Sequence, residues 1–125
     1  MFLSITDKTP LKLIVTLKGE AKNAQSSKEG IYILGPNLVN EKTHWLQNSG
    51  TNAIWYSKEN RGWHIADQVH ISNDRAGIFS SEELAGPQEA TTWKYYNGDK
   101  WIISDDILVF AEPGMLYIHN MEFLG

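Results

Sequence analysis

Acid–base or metal chemistry in this chain would have to come from four histidines, His44, His64, His70 and His119, and from scattered carboxylates. A histidine beside an aspartate is the base-and-orienter pair of a small hydrolase, and His64 or His70 with Asp67 or Asp74 offers that combination. His44, His64 and His70 with Asp67 or Asp74 also make a set of metal-binding atom types. No two of them have the close helical spacing of a zinc motif, so the expectation is exposed or hydrogen-bonded histidines. Asp99, Asp105, Asp106 and Glu112 carry the oxygens that calcium takes, but no EF-hand loop pattern surrounds them, and Asp105-Asp106 reads as a turn. Asp67, Asp74 and Glu82 supply the residue types of a glycosidase pair, with no spacing that fixes their separation. Ser26, Ser27, Ser57, Ser80 and Ser81 lie outside any nucleophile-elbow frame, and no phosphate-binding glycine loop is present. The sequence therefore predicts no enzyme, no catalytic residue, no metal site and no cofactor.

The aromatic residues are the stronger pattern. Ala53-Ile54-Trp55-Tyr56 and Gly62-Trp63-His64-Ile65 read as two strands joined by a polar turn. Thr92-Trp93-Lys94-Tyr95-Tyr96 and Lys100-Trp101-Ile102-Ile103 repeat the plan. Trp55 aligns with Trp93, Trp63 with Trp101 and Ile65 with Ile103, and the two indoles of each hairpin are expected to face each other. Aromatic rings bury roughly 150–250 Å² each, so most of the five tryptophans are expected in the framework of one core. The predicted ligand-binding residues are Trp45 and Trp93, each expected to be exposed near a polar loop, with Tyr56, Tyr95 and Tyr96. The turn 57–61 and the loops 47–52 and 67–75 would complete that surface.

The elements that must position these side chains are short strands. Leu11, Leu13, Val15 and Leu17 alternate with the period of a strand that has one buried face. Residues 19–30 are polar without apolar period and read as a loop. Further strands are expected at 31–34, 43–47, 53–57, 62–66, 76–80, 92–96, 99–103 and 107–110, with a last one at 115–119. Asn97-Gly98 predicts a type I′ hairpin turn. Ser80 is expected to cap one short helical turn near 82–85, which Gly86-Pro87 would stop. The fold class is all-β, an antiparallel barrel or sandwich of hairpin-connected strands. Residues 1–125 make a single β domain. Residues 1–29 give N-terminal strand and polar loop, 30–110 a tryptophan-rich core, and 111–125 a C-terminal strand.

The net charge of -4 and the scatter of 11 basic among 15 acidic residues argue against nucleic acid as partner. Without cysteine there are no disulfides and no thiolate chemistry. No apolar run spans a membrane, and the N-terminus lacks the basic and apolar regions of a signal peptide. These features favour a soluble intracellular protein, with a module of a longer secreted chain as the alternative.

Gly30-Ile31-Tyr32, Asn40, Trp45, Ala53-Ile54-Trp55-Tyr56, Gly62-Trp63-His64-Ile65, Ala76-Gly77-Ile78, Pro87, Trp93-Lys94-Tyr95-Tyr96 and Trp101 form a recognisable punctuation. It resembles a small tryptophan-rich β module that recurs, often in several copies, in multidomain proteins of marine invertebrates and protists. The resemblance covers residues 30–110 and implies a β domain without catalytic activity. The absent cysteines and the extra β-like segment at each end depart from that pattern. On these grounds the expected function is a binding module that recognises a protein surface or a glycan through aromatic side chains. The alternatives are an assembly subunit, a homo- or hetero-oligomer joined through edge strands and termini, and a small hydrolase with a His/Asp site.

Overall fold

A computed structural model describes residues 9–112. Nine strands and one short helix follow in order: β1 (Lys12–Leu17), α1 (Gly19–Gln25), β2 (Gly30–Leu34), β3 (Trp45–Gln47), β4 (Asn52–Ser57), β5 (Gly62–Asp67), β6 (Ile78–Ser80), β7 (Trp93–Tyr96), β8 (Trp101–Ser104) and β9 (Ile107–Ala111). Every neighbouring pair is antiparallel, in the order β8-β7-β6-β5-β4-β3-β2-β1-β9, and the sheet curls into a nearly closed barrel. The all-β expectation holds, and of its two forms the barrel is the one found. Among the described residues no helix is long and apolar enough to cross a membrane.

One segment closes the barrel. In an antiparallel ladder of this order β8 and β9 run the same way, and only Asp105-Asp106 separates them. Residues 101–111 are therefore one strand with a kink. Its first half pairs with β7, as Tyr96↔Trp101 and Trp93↔Ser104. Its second half pairs with β1, as Leu17↔Ile107 and Leu13↔Ala111. Among the described residues each half has an edge without a strand partner, and edges need cover. Helix α1 packs on β7 at one end, with Ala21 buried in the core and Gln25 Nε2 donating to the Tyr96 carbonyl at 2.7 Å. The tight helical turn Pro87–Glu89 packs on β9 at the other.

The interior follows from alternation, since successive strand residues point to opposite faces. Leu13, Val15 and Leu17 of β1, Trp63 and Ile65 of β5, Trp93 and Tyr95 of β7, and Ile107 and Val109 of β9 all point inward. Tyr32, Trp45, Ile54 and Ile78 join them. The Trp45 and Trp63 rings lie 6.1 Å apart and Tyr56 stands edge-on to Trp63 at 5.5 Å. Burying one indole contributes roughly 4–6 kcal/mol before entropy is subtracted. Three of these rings tie a covering segment to the core through a polar handle. Trp45 Nε1 donates to the Pro10 carbonyl, Trp63 Nε1 to Leu84 and the Tyr32 hydroxyl to Lys28. Burial pushes the Tyr32 hydroxyl above the ordinary phenol range.

The structure corrects several local expectations. Residues 19–25 are helix, and the tight turn Ser26–Lys28 extends it. Residues 82–85 are not helical, because the Glu82 carboxylate is taken up elsewhere. It accepts from the amides of Thr91 and Thr92 and from the hydroxyls of Thr91 and Ser80, which ties the two ends of the 82–92 loop together. Backbone bonds from Thr92 and Thr91 keep its pKa below the ordinary glutamate value. The turn of the second hairpin spans Asn97 to Lys100. Gly98 has φ +100, but Asn97 stays out of the left-handed region and its Oδ1 accepts from the amides of Asp99 and Lys100. The expected strand at 115–119 lies outside the described residues.

The paired tryptophans do not face each other. Trp55 lies opposite His64, and Tyr56 opposite Trp63. Trp93 lies opposite Ser104, and Trp101 opposite Tyr96. Within each hairpin the two indoles therefore occupy opposite faces of the sheet. The two hairpins also differ from each other. Their last paired residues are Ser57↔Gly62 and Tyr96↔Trp101, so Ser57 corresponds to Tyr96 and the sequence echo is one residue out of step. A one-residue slip exchanges faces. Trp63 and Trp93 accordingly point into the barrel, and Trp55 and Trp101 point out.

Gly62 marks the tightest approach between strands. A β-carbon there would lie 1.9 Å from the Ser80 carbonyl oxygen, a backbone atom that cannot turn away. Gly62→Ala is expected to cost about 1–3 kcal/mol or more in chemical denaturation, by prying β6 from β5. Wild-type stability in that variant would contradict the β5–β6 register.

Candidate functional site

The outer face of β4 to β8 carries a row of directly paired side chains. Trp55 pairs with His64, His64 with Phe79, Phe79 with Lys94, and Lys94 with Ile103. Tyr96 and Trp101 form the next pair toward the turn. Ring centroids are 5.3 Å apart for Trp55–His64, 5.1 Å for His64–Phe79, 6.4 Å for Phe79–Trp101 and 5.5 Å for Tyr96–Trp101. Exposure rises along the row. Trp55 and His64 are buried, Phe79 is half-buried, and Tyr96 and Trp101 are 38% and 43% exposed.

A groove of about 730 Å³ opens over the outer part of this row. His64, Phe79, Lys94, Tyr96 and Trp101 form its floor. Gln25, Lys28, Asp67, His70 and Asp74 to Gly77 complete its lining. A pocket with an apolar floor and a few polar groups is the usual form of a ligand site.

The wall at 67–77 is anchored from below by Asp74. This residue sits at φ +58, an unusual angle that aspartate tolerates better than most side chains. Its Oδ1 accepts from Trp55 Nε1 at 3.2 Å and its Oδ2 from the Ser57 hydroxyl at 2.5 Å. His64 Nδ1 lies 3.6 Å from Oδ1, and Nε2 faces the Asn60 side-chain amide at 3.1 Å. The amide donates, so Nε2 is the acceptor and the proton of the neutral ring sits on Nδ1. Burial pushes the His64 pKa below the ordinary imidazole value, and the Asp74 charge only partly opposes it.

Ser57, His64 and Asp74 are hydrolase residue types brought together by the fold. Their order is not that of a nucleophile and its base, since the hydroxyl donates to the carboxylate and Asn60 occupies Nε2. His70 lies apart, with Nδ1 3.3 Å from Asn73 Oδ1. Among the described residues no group of three His, Asp or Glu side chains is placed to hold a metal ion.

Of the residues expected to bind a ligand, Tyr96 lines the groove. The expectation that Trp45 and Trp93 are exposed is corrected. They are buried at 1% and 2%, because β3 and β7 turn these positions inward. Tyr95 is buried for the same reason. Tyr56 points to the barrel side against Trp63, with the Lys42 ammonium 5.0 Å from its ring. Trp101, Phe79 and Lys94 were not anticipated. The parity of Trp101 with Tyr96 across a four-residue turn was the available cue.

No family model, curated protein or solved structure matches the chain.

His64 and His44 both have pKa values lowered by burial, so the unfolded chain binds their protons more readily. Their contribution is complete above the ordinary value of 6.5 and is lost as pH falls through the lower folded values. Chemical denaturation at pH 7.5 and at pH 5.5 is expected to show lower stability at the acid end. In His64→Gln that difference should shrink, with the residual slope owed to His44. An unchanged slope would show that His64 titrates normally.

Proposed function

We propose that the protein is a non-catalytic binding module and that its ligand is a carbohydrate seated in the groove on the outer face of β5 to β8. One observation carries this reading. Of the five tryptophans, Trp45, Trp55, Trp63 and Trp93 are buried, while Trp101 stands 43% exposed on the groove floor beside Tyr96. Leaving an indole in water forgoes burial worth several kcal/mol, so an exposed one within a groove points to a ligand that covers it. A pyranose ring has an apolar C–H face and a hydroxyl rim. The aromatic floor matches the face, and the polar walls match the rim. Rigid rings of this kind bind with little loss of rotamer freedom.

The test is a glycan array followed by titration of the hits against Trp101→Ala. The variant is expected to lose tenfold or more in affinity and to keep its thermal midpoint, since the ring is not part of the core. A variant that binds as well as wild type, or an array without hits, would overturn the reading.

A separate observation favours a second reading, self-assembly. On the other side of the barrel Ile14 pairs with both Phe110 and Ile31, giving an apolar row across β9, β1 and β2. Ile31, Ile33 and Leu108 on these strands are 38%, 36% and 53% exposed. Outward positions of a one-sided sheet are usually polar, and an apolar face of this kind suits a two-fold contact with a second copy. Sedimentation is expected to show a concentration-dependent dimer that Leu108→Lys abolishes. A wild-type monomer at millimolar concentration would end this reading.

A further inference from the structure

The groove gathers cations in an acidic protein, and none of them has a close carboxylate partner among the described residues. The chain carries a net charge of -4. Lys28, Arg75 and Lys94 nevertheless line the one groove. Lys22 pairs with Glu29, Lys58 with Glu41 and Arg61 with Glu83. Outside the groove Lys18, Lys42 and Lys100 also have no carboxylate within 4 Å among the described residues, so what sets the groove apart is three cations gathered in one place. Among the described residues no carboxylate lies within 4 Å of the Lys28, Arg75 or Lys94 head groups.

The two carboxylates that share the groove are turned to their own chain. Asp67 accepts from the Thr51 hydroxyl at 2.6 Å and the Val69 amide at 3.0 Å. Asp74 is occupied by Trp55 and Ser57. Their charge is held by internal donors, while of the three cationic head groups that of Lys28 alone has a hydrogen-bond partner among the described residues, the Ser27 hydroxyl at 3.5 Å. Burial lowers the Lys28 pKa, with the more distant Asp67 charge opposing that shift, so this ammonium has lost water without gaining a close counter-ion. Lys94 holds its Nζ 5.5 Å from the Phe79 ring centre, between strand neighbours Phe79 and Ile103. It therefore places a positive charge beside the aromatic platform. Arg75 brings a planar fork suited to carboxylate or sulfate oxygens.

From this we infer that the groove selects acidic carbohydrate: a sugar ring covers Trp101 and Tyr96 while its carboxylate or sulfate group meets Lys94, Arg75 and Lys28. The inference rests on the carbohydrate reading above and narrows it to one chemical class. Neutral sugars would use the platform and leave the cations unpaired. Both carboxylates and sulfate esters provide the required negative oxygens, and the experiment separates them.

Isothermal titration of the full chain with three oligosaccharides of equal length tests this. The probes are an oligouronate, a sulfated oligosaccharide and a neutral one. At least one acidic probe is expected to bind about tenfold or more tighter than the neutral probe, with affinity falling as salt rises. The tighter of the two acidic probes identifies the anionic group. Arg75→Gln combined with Lys94→Gln should remove the preference, bringing acidic binding down to the level at which the same variant binds the neutral probe. Circular dichroism and the thermal midpoint establish that this variant is folded. If neutral and acidic probes bind equally, and both depend on Trp101, the carbohydrate reading stands and the acidic inference falls. If no sugar binds, both fall. A charge preference that survives the double substitution, or a single-stranded oligonucleotide that binds more tightly than either acidic sugar, would also overturn it.

Discussion

Strand β5 is buried on both faces, and this requires a cover on each side. Trp63 and Ile65 take the inner face, where the barrel supplies the cover. His64 and Ala66 take the outer face, which in a barrel would normally meet water. There the cover is a small second cluster of Ala53, Trp55 and Ala66 with Val39, Leu46 and Ile71 packed on it. The loop after β5 is thereby drawn back across its own sheet. Asp74 secures it by taking the donors of Trp55 and Ser57, which would otherwise be orphaned beneath it.

The groove follows from where that cover stops. The loop shields Trp55 and His64 and leaves Phe79, Lys94, Tyr96 and Trp101 beyond its edge. One cross-strand aromatic row thus begins as structure and ends as surface. Closure by the kinked segment 101–111 sets the outer limit. Trp101 opens that segment, and its pairing with Tyr96 turns the indole outward. The same alternation that builds the interior from Trp63 and Trp93 presents Trp101 to solvent.

Much of the fold was legible because strands with one buried face print their period into the sequence, as Leu13, Val15 and Leu17 do. Turn residues set the boundaries of β4, β5, β7 and β9 to within a residue or two. Helix α1 was not legible. It has seven residues and buries only Ala21, too little to show a helical period. The faces of the tryptophans were not legible either. Facing depends on cross-strand register, and register depends on the length of the turn, which Asn97-Gly98 suggested as two residues and which spans four. A shift from two to four residues keeps the faces unchanged, so the expectation of an exposed Trp93 failed for another reason: it rested on nearness to a polar loop, which does not fix the face a strand residue takes. The Asp74 anchor joins residues 17 and 19 positions apart, a contact that no local pattern records.

Which indole faces solvent decides where the groove lies, and selective oxidation of tryptophan in the native chain, followed by peptide mapping, tests that directly. Trp101 should react first and alone. Trp45, Trp55, Trp63 and Trp93 should stay unmodified until the chain unfolds. Reaction at any of those four together with or ahead of Trp101 would contradict the barrel register, and with it the placement of the groove.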